Sequence, residues 1–375
     1  MRRTMSAAGA AIALTGLITA AGPATAAPAN CTPRIQVLGH LTPDAYYPDT
    51  RPAQGVLDLG AGNLSVGVSG FKPVYWTGTR LHRVPLPDAT RTGEVLAVNR
   101  NGLMVGRLVG DGGYLFTYRA GDAAVTPLPG SDWSDEEADV NDAGHVVARS
   151  SSWVGTVWKD GQKVRELPVP AGSDPGTRIK MVTAINARGD ILGQAKQDYE
   201  VPETGEHREG TYPVLWPADG GPAKALVPTS GNSSFAESYV QDLDESGRIV
   251  GYDWLGPWHE YKPWVWAPPH TGPGTSPGML NTHPYGTFEA ISPTTGVSVG
   301  TAKFHPESQT LPDQAQLWSG AGPVLALPRL AAGGASTAEA VSDDGRVGGS
   351  AVNANGKHRP VIWTCATKQA YLPQP

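Results

Sequence analysis

One pattern of apolar and polar positions recurs along most of the chain. It opens on an aliphatic residue, continues with Asn, Asp or Ser and two variable positions, reaches Gly, and then runs as alternating apolar residues to a second Gly. The copies read LGAGNLSVG from Leu59, VNRNGLMVG from Val98, VNDAGHVVA from Val140, INARGDILG from Ile185, LDESGRIVG from Leu243, ISPTTGVSVG from Ile291 and VSDDGRVGG from Val341. The sixth copy is one residue longer and the third ends in Ala148. A polar residue that can bond the backbone two positions on, followed by Gly, is the chemistry of a hairpin turn. Gly102, Gly144, Gly189, Gly247, Gly296 and Gly345 therefore fall where positive φ is needed, and in the first copy Asn63 takes that place.

A second pattern follows each hairpin: a short apolar strand ending in Trp76, Tyr118, Trp158, Trp216, Trp266, Trp318 or Trp363. A turn and a strand running into Leu-Pro usually come next, as in RVPLP to Pro87 and VTPLP to Pro129. Each unit thus predicts four strands, a to d: a before the turn, b after it, c carrying the aromatic and d the Leu-Pro. Seven such units of roughly 40–50 residues are the period of propeller blades. The expected fold is all-β, a seven-bladed β-propeller of four-stranded antiparallel blades, with the recurrent aromatic packing one blade on the next.

The segments AINARGDILGQA followed by PVLW, and AVSDDGRVGGSA followed by PVIW, resemble the bacterial extracellular HAF-repeat proteins. The resemblance covers nearly the whole chain after the N-terminal segment. It implies export and this repeat fold, and carries no catalytic residue with it.

Composition fits: 47 Gly and 34 Pro among 375 residues suit many short strands and tight turns. The net charge of −6 with no basic stripe argues against a nucleic-acid partner. Residues 1–26 read as a signal peptide: Arg2 and Arg3, an apolar run from Ala7 to Ala21, then Ala24-Thr25-Ala26 as the cleavage pattern. Residues 27–375 then form a single propeller domain, secreted, extracellular and monomeric, with no membrane-spanning segment. Two cysteines, Cys31 and Cys365, bracket the ring; an exported, circular fold brings its ends together, so a Cys31–Cys365 disulfide is expected. The segment after Cys31 looks like a d strand that adds to the last blade or lies beside it.

In an up-and-down blade the a–b and c–d turns share one face and the b–c and d–a loops the other. The b–c and d–a stretches are the long, varied ones, which places function on their face. The most unusual is YDWLGPWHEYKP, from Tyr252 to Pro263, and its Trp254, Trp258, His259 and Tyr261 are the candidate ligand-binding residues. Exposed aromatics beside polar groups suit a glycan, peptide or protein ligand. Asp58, Asp139 and Asp242 precede the central aliphatic of strand a and are expected near the channel, satisfying backbone N–H groups. The nine His show no ligand spacing, so no metal or cofactor is expected. The reading is a binding or scaffold protein; the alternative is a propeller-type lyase or hydrolase acting at the channel mouth.

Overall fold

The computed structural model describes residues 31–42, 54–131, 137–200, 205, 207–227, 236–255, 260–304 and 311–374. Seven antiparallel sheets follow one another in the order the repeats predict. The a strands are Gln54–Leu59, Thr92–Val98, Ala138–Val140, Arg178–Ile185 and Ala236–Leu243, then the pair Tyr285–Gly286 and Ala290–Ile291, and finally Ser336–Val341. Strands b, c and d pair outward from each in sequence order, apart from blades 5, 6 and 7. Blade 5 has three strands, with a lone Val265–Thr275 bridge where d would pair. Blade 6 has its a strand split in two. The signal-peptide region and its cleavage site lie outside the described residues. Among the described residues no helix is long and apolar enough to cross a membrane.

The ring closes through the N-terminus. Arg34–Val37 pairs with His358–Thr364, so it is strand d of the last blade. Cys31 and Cys365 are joined, with Cα atoms 5.9 Å apart. Thr364 Oγ1 donates to the Thr32 carbonyl beside the bridge.

The aromatic and Leu-Pro patterns turn out to be one device. The indole N–H of Trp158 donates to the Pro129 carbonyl, that of Trp216 to Pro168, and that of Trp363 to Pro328. Trp266 reaches Val227 in the same way, and Trp76 reaches Gly39. In each case the acceptor closes strand d of the preceding blade, directly after a buried Leu: Leu128, Leu167, Leu327, Leu226 or Leu38. The N-terminal segment therefore fulfils the Leu-Pro role with Leu38-Gly39, which is why it closes the ring. Trp318 is the exception. Blade 5, which precedes it, lacks a d ladder, and its indole turns to Gly322 within its own blade.

The second Gly of the hairpin motif has its own cause. Strand a carries a bulge in blades 1, 2, 4, 5 and 7, and strand b passes close behind it. A Cβ at Gly67, Gly193, Gly251 or Gly349 would lie 2.1, 2.4, 2.0 or 2.0 Å from a strand-a carbonyl oxygen. Blade 3, whose motif ends in Ala148, has no such register shift: Ala148 pairs directly with Ala138. Gly251→Ala should therefore cost roughly 1–3 kcal/mol by forcing the backbones apart, read as a drop in urea midpoint. An unchanged midpoint would contradict the close approach.

Two expectations need correction. The turn glycines from Gly102 to Gly345 do take φ of 72–94°, but in the first copy Gly62 is left-handed (φ 62°) and Asn63 is not. Two glycines at Gly60 and Gly62 let that turn shift by one residue, so Asn63 has no strain to relieve. The long b–c stretches, expected as loops, include one in blade 4 whose described residues are strand. Ile191–Glu200 and His207–Trp216 pair through ten residues as one long hairpin.

Candidate functional site

The channel is walled by strand a of every blade. One residue of each lines the lumen, at the bulge where strand a has one and at the equivalent position in blades 3 and 6: Leu57, Leu96, Ala138, Thr183, Gln241, Glu289 and Glu339, in order round the ring. At this level blades 1 to 3 contribute apolar side chains, with Leu57 packed on the Leu96 cluster, and Glu137 of blade 3 lines the same cavity beside Ala138. Blades 4 to 7 present a polar arc ending in two carboxylates. The lumen widens into a cavity of about 560 Å³ that opens among the a–b turns. That face is opposite the long loops on which function was expected, and the concavity lies there because seven a strands converge on the axis.

One step from the bulge lie Asp58, Asp139 and Asp242, alternating with Ala97, Ala184 and Ala290. Each Asp bonds the backbone as expected. Asp58 accepts from the amides of Leu59 and, across the blade junction, Val98, both at 2.7 Å. Asp139 accepts from Val140 and Ile185, and Asp242 from Leu243 and Ile291. These three join blades 1–2, 3–4 and 5–6. The turns join the others: Asp142 accepts from the Arg100 amide, Glu245 from Ala187, and Asp343 from Thr294. Seven is odd, so strict alternation fails at the closing junction. There Arg346, held by Asp344, donates to the Gly60 carbonyl of blade 1 at 2.7 Å.

Burial pushes the Asp58 carboxyl up to about 6 and Asp139 up to about 7, each against its two amide bonds. Asp242 is raised well above the carboxylate range, by burial and by the neighbouring Asp139. A carboxyl raised on folding takes up a proton in the folded state, so its stabilising share is greatest in acid and falls as pH rises from about 4 to about 7. Guanidinium unfolding at pH 5 and pH 7.5 should show a smaller loss for Asp139→Asn than for the parent protein. Equal losses would remove Asp139 from this role.

The cavity wall holds no His, Cys, Tyr or Lys. Among the described residues no group of three His, Cys, Asp or Glu side chains comes together as a metal site.

On the opposite face, Trp254 and Tyr261 do meet, as a cross-strand pair in blade 5 rather than in a loop. Both are partly buried, and Trp258 and His259 lie outside the described residues. Two further tyrosines join them: Tyr252 stacks on Tyr239 with centroids 5.3 Å apart, and Tyr261 meets Tyr252 edge-on at 5.6 Å. Lys303 sits 4.9 Å over Tyr261 and Lys180 4.8 Å over Tyr239. The Tyr239 hydroxyl donates to Glu237, and burial followed by that carboxylate raises its pKa. This is a packed aromatic wall. Tyr239 escaped the sequence reading because it lies on strand a, far from the segment that drew attention.

No family model and no curated protein matches this sequence. Solved structures do match in fold. The β-propeller domain of the Trilobed protease from Pyrococcus furiosus, described as having an open velcro topology, aligns at TM-score 0.53 with 9% identity, over 83% of this chain and 94% of that one. The WD40 propeller domain of Doa1 aligns at 0.43 with 14% identity, over 88% and 97%. The gluconolactonase XC5397 from Xanthomonas campestris aligns at 0.42 with 14% identity, over 74% and 90%. The chain is a β-propeller.

Proposed function

We propose that this is an exported binding protein, closed by its disulfide, that takes a small ligand with an apolar body and a cationic end into the axial cavity. The observation that carries this is the division of the lumen ring: Leu57, Leu96 and Ala138 on one arc, Glu289 and Glu339 on the other. About 560 Å³ is the size of a small-molecule site. An organic ammonium group lies by Glu289 and Glu339 while its hydrocarbon part covers the leucines. Export rests on the N-terminal segment and the disulfide, in keeping with the resemblance to extracellular HAF-repeat proteins.

Acid–base chemistry at the channel mouth has less support. Asp58 and Asp139 have raised pKa values, but both oxygens of each already accept backbone amides.

The test is a thermal-shift screen of the mature protein against alkylammonium compounds and their neutral alcohol counterparts. A binder at a hundred times its Kd stabilises by about 2.7 kcal/mol. Ammonium compounds should raise Tm, the alcohols should not, and Glu289→Gln with Glu339→Gln should abolish the shift. Equal shifts for charged and neutral compounds would defeat the proposal.

A further inference from the structure

On the b–c side, blade 3 turns between Arg149 and Gly155, and Trp153 stands at the tip of that turn. It has φ 61°, and 40% of its surface is exposed. A bulky aromatic in the left-handed region costs roughly 1–3 kcal/mol, and here it holds no core together. Its backbone is pinned in place: its amide donates to Ser150 and its carbonyl accepts from Ile179 of blade 4.

Three cations surround the indole. Arg149 lies 4.2 Å from the ring centroid, Arg178 5.0 Å and Lys196 5.6 Å. Arg178 and Lys196 are cross-strand partners on blade 4, and Thr211 is next in the same row. Among the described residues Glu209 bridges the two: it lies 3.2 Å from Arg178 and also pairs with Lys196, and it is half exposed. Arg178 Nε and the hydroxyls of Thr177 and Thr211 are buried with no hydrogen-bond partner. Arg178 and Lys196 thus share one half-exposed carboxylate, beside donors to which no described residue offers an acceptor.

We propose that this corner binds a carboxylated saccharide, a uronate residue of a polymer or oligomer. The sugar's C–H face lies on Trp153. Its carboxylate displaces Glu209 from Arg178 and Lys196, and its hydroxyls meet Thr211 and Arg178 Nε. The aromatic platform selects a sugar, and the fork of cations selects its charge. The site lies across the disc from the axial cavity and stands or falls independently of it.

Calorimetric titration of the mature protein with trigalacturonate tests this, with the fully methyl-esterified trimer as the neutral control. Trigalacturonate should bind, and the ester should bind at least tenfold more weakly. Trp153→Ala should also lose at least tenfold, while Trp153→Phe should retain most of the affinity and show that the turn still folds. Glu209→Gln removes the internal competitor and should tighten binding severalfold, an effect that loss of a structural cap would not give. Glu289→Gln with Glu339→Gln, in the cavity, should leave this affinity unchanged. No binding of trigalacturonate at millimolar concentration, or equal binding of the ester, would overturn the proposal. So would tighter binding of a sulfated oligosaccharide or an oligonucleotide.

Discussion

Serine in place of Cys365 is expected to give one of the two largest losses of stability in this protein. The bridge spans 334 residues of sequence. In the chain-entropy account a loop of that length contributes roughly 5–6 kcal/mol, since opening it frees nearly the whole denatured chain. For a domain of this size that is a fall in Tm of roughly 8 °C. The β-rich circular dichroism should persist at low temperature, because the Arg34–Val37 ladder still joins the ends. Titration of the unfolded, unreduced protein should find no free thiol. Two reactive thiols, or an unchanged Tm for the serine variant, would contradict this part of the account.

Trp158→Ala comes next. The side chain is fully buried between blades 2 and 3, and its indole N–H satisfies the Pro129 carbonyl. Truncating a buried Trp to Ala typically costs about 3–5 kcal/mol, with about 1–3 kcal/mol more where the orphaned carbonyl stays dry. Trp318→Ala is the internal comparison. It occupies the same repeat position, but its indole bonds its own turn and its side chain is only partly buried. It should cost less than half as much. Equal losses at the two positions, measured by chemical unfolding, would show that the link to the preceding blade contributes little.

Much of the fold was legible because the repeats carry it. Seven hairpin motifs and seven aromatics give the blade count, and Gly102 to Gly345 mark their turns through a backbone requirement that only Gly meets cheaply. The closing Gly of each motif was visible as a pattern, but its cause was not: it depends on a bulge in another strand, and Ala148 is explained only once the register of blade 3 is seen. Trp and Leu-Pro were both found, yet read separately, because the hydrogen bond joins the start of one blade's interface to the end of the previous blade. Cys31–Cys365 followed from circular topology alone.

The candidate sites were less legible. Sequence attention went to the densest aromatic stretch, and Trp254 and Tyr261 do pair there, but as strand residues in a packed wall. The lumen ring uses one residue per blade, spaced 39 to 58 positions apart, with no shared identity from Leu57 to Glu339. Five of the seven sit at a bulge, and a bulge leaves no mark on the residue it turns. Trp153 was hidden for a similar reason: its cations come from two blades, and Arg178 and Lys196 become neighbours only through the pairing of strands a and b in blade 4.

The most direct test of the axial site is a crystal structure of the mature protein soaked with a bromoalkyl-trimethylammonium salt, with data collected at the bromine edge. The proposed function predicts an anomalous peak inside the ring, beside Leu57 and Leu96, with the ammonium group toward Glu289 and Glu339. A saturating soak that leaves the lumen without a peak, or places the bromine only on the opposite face, would contradict it.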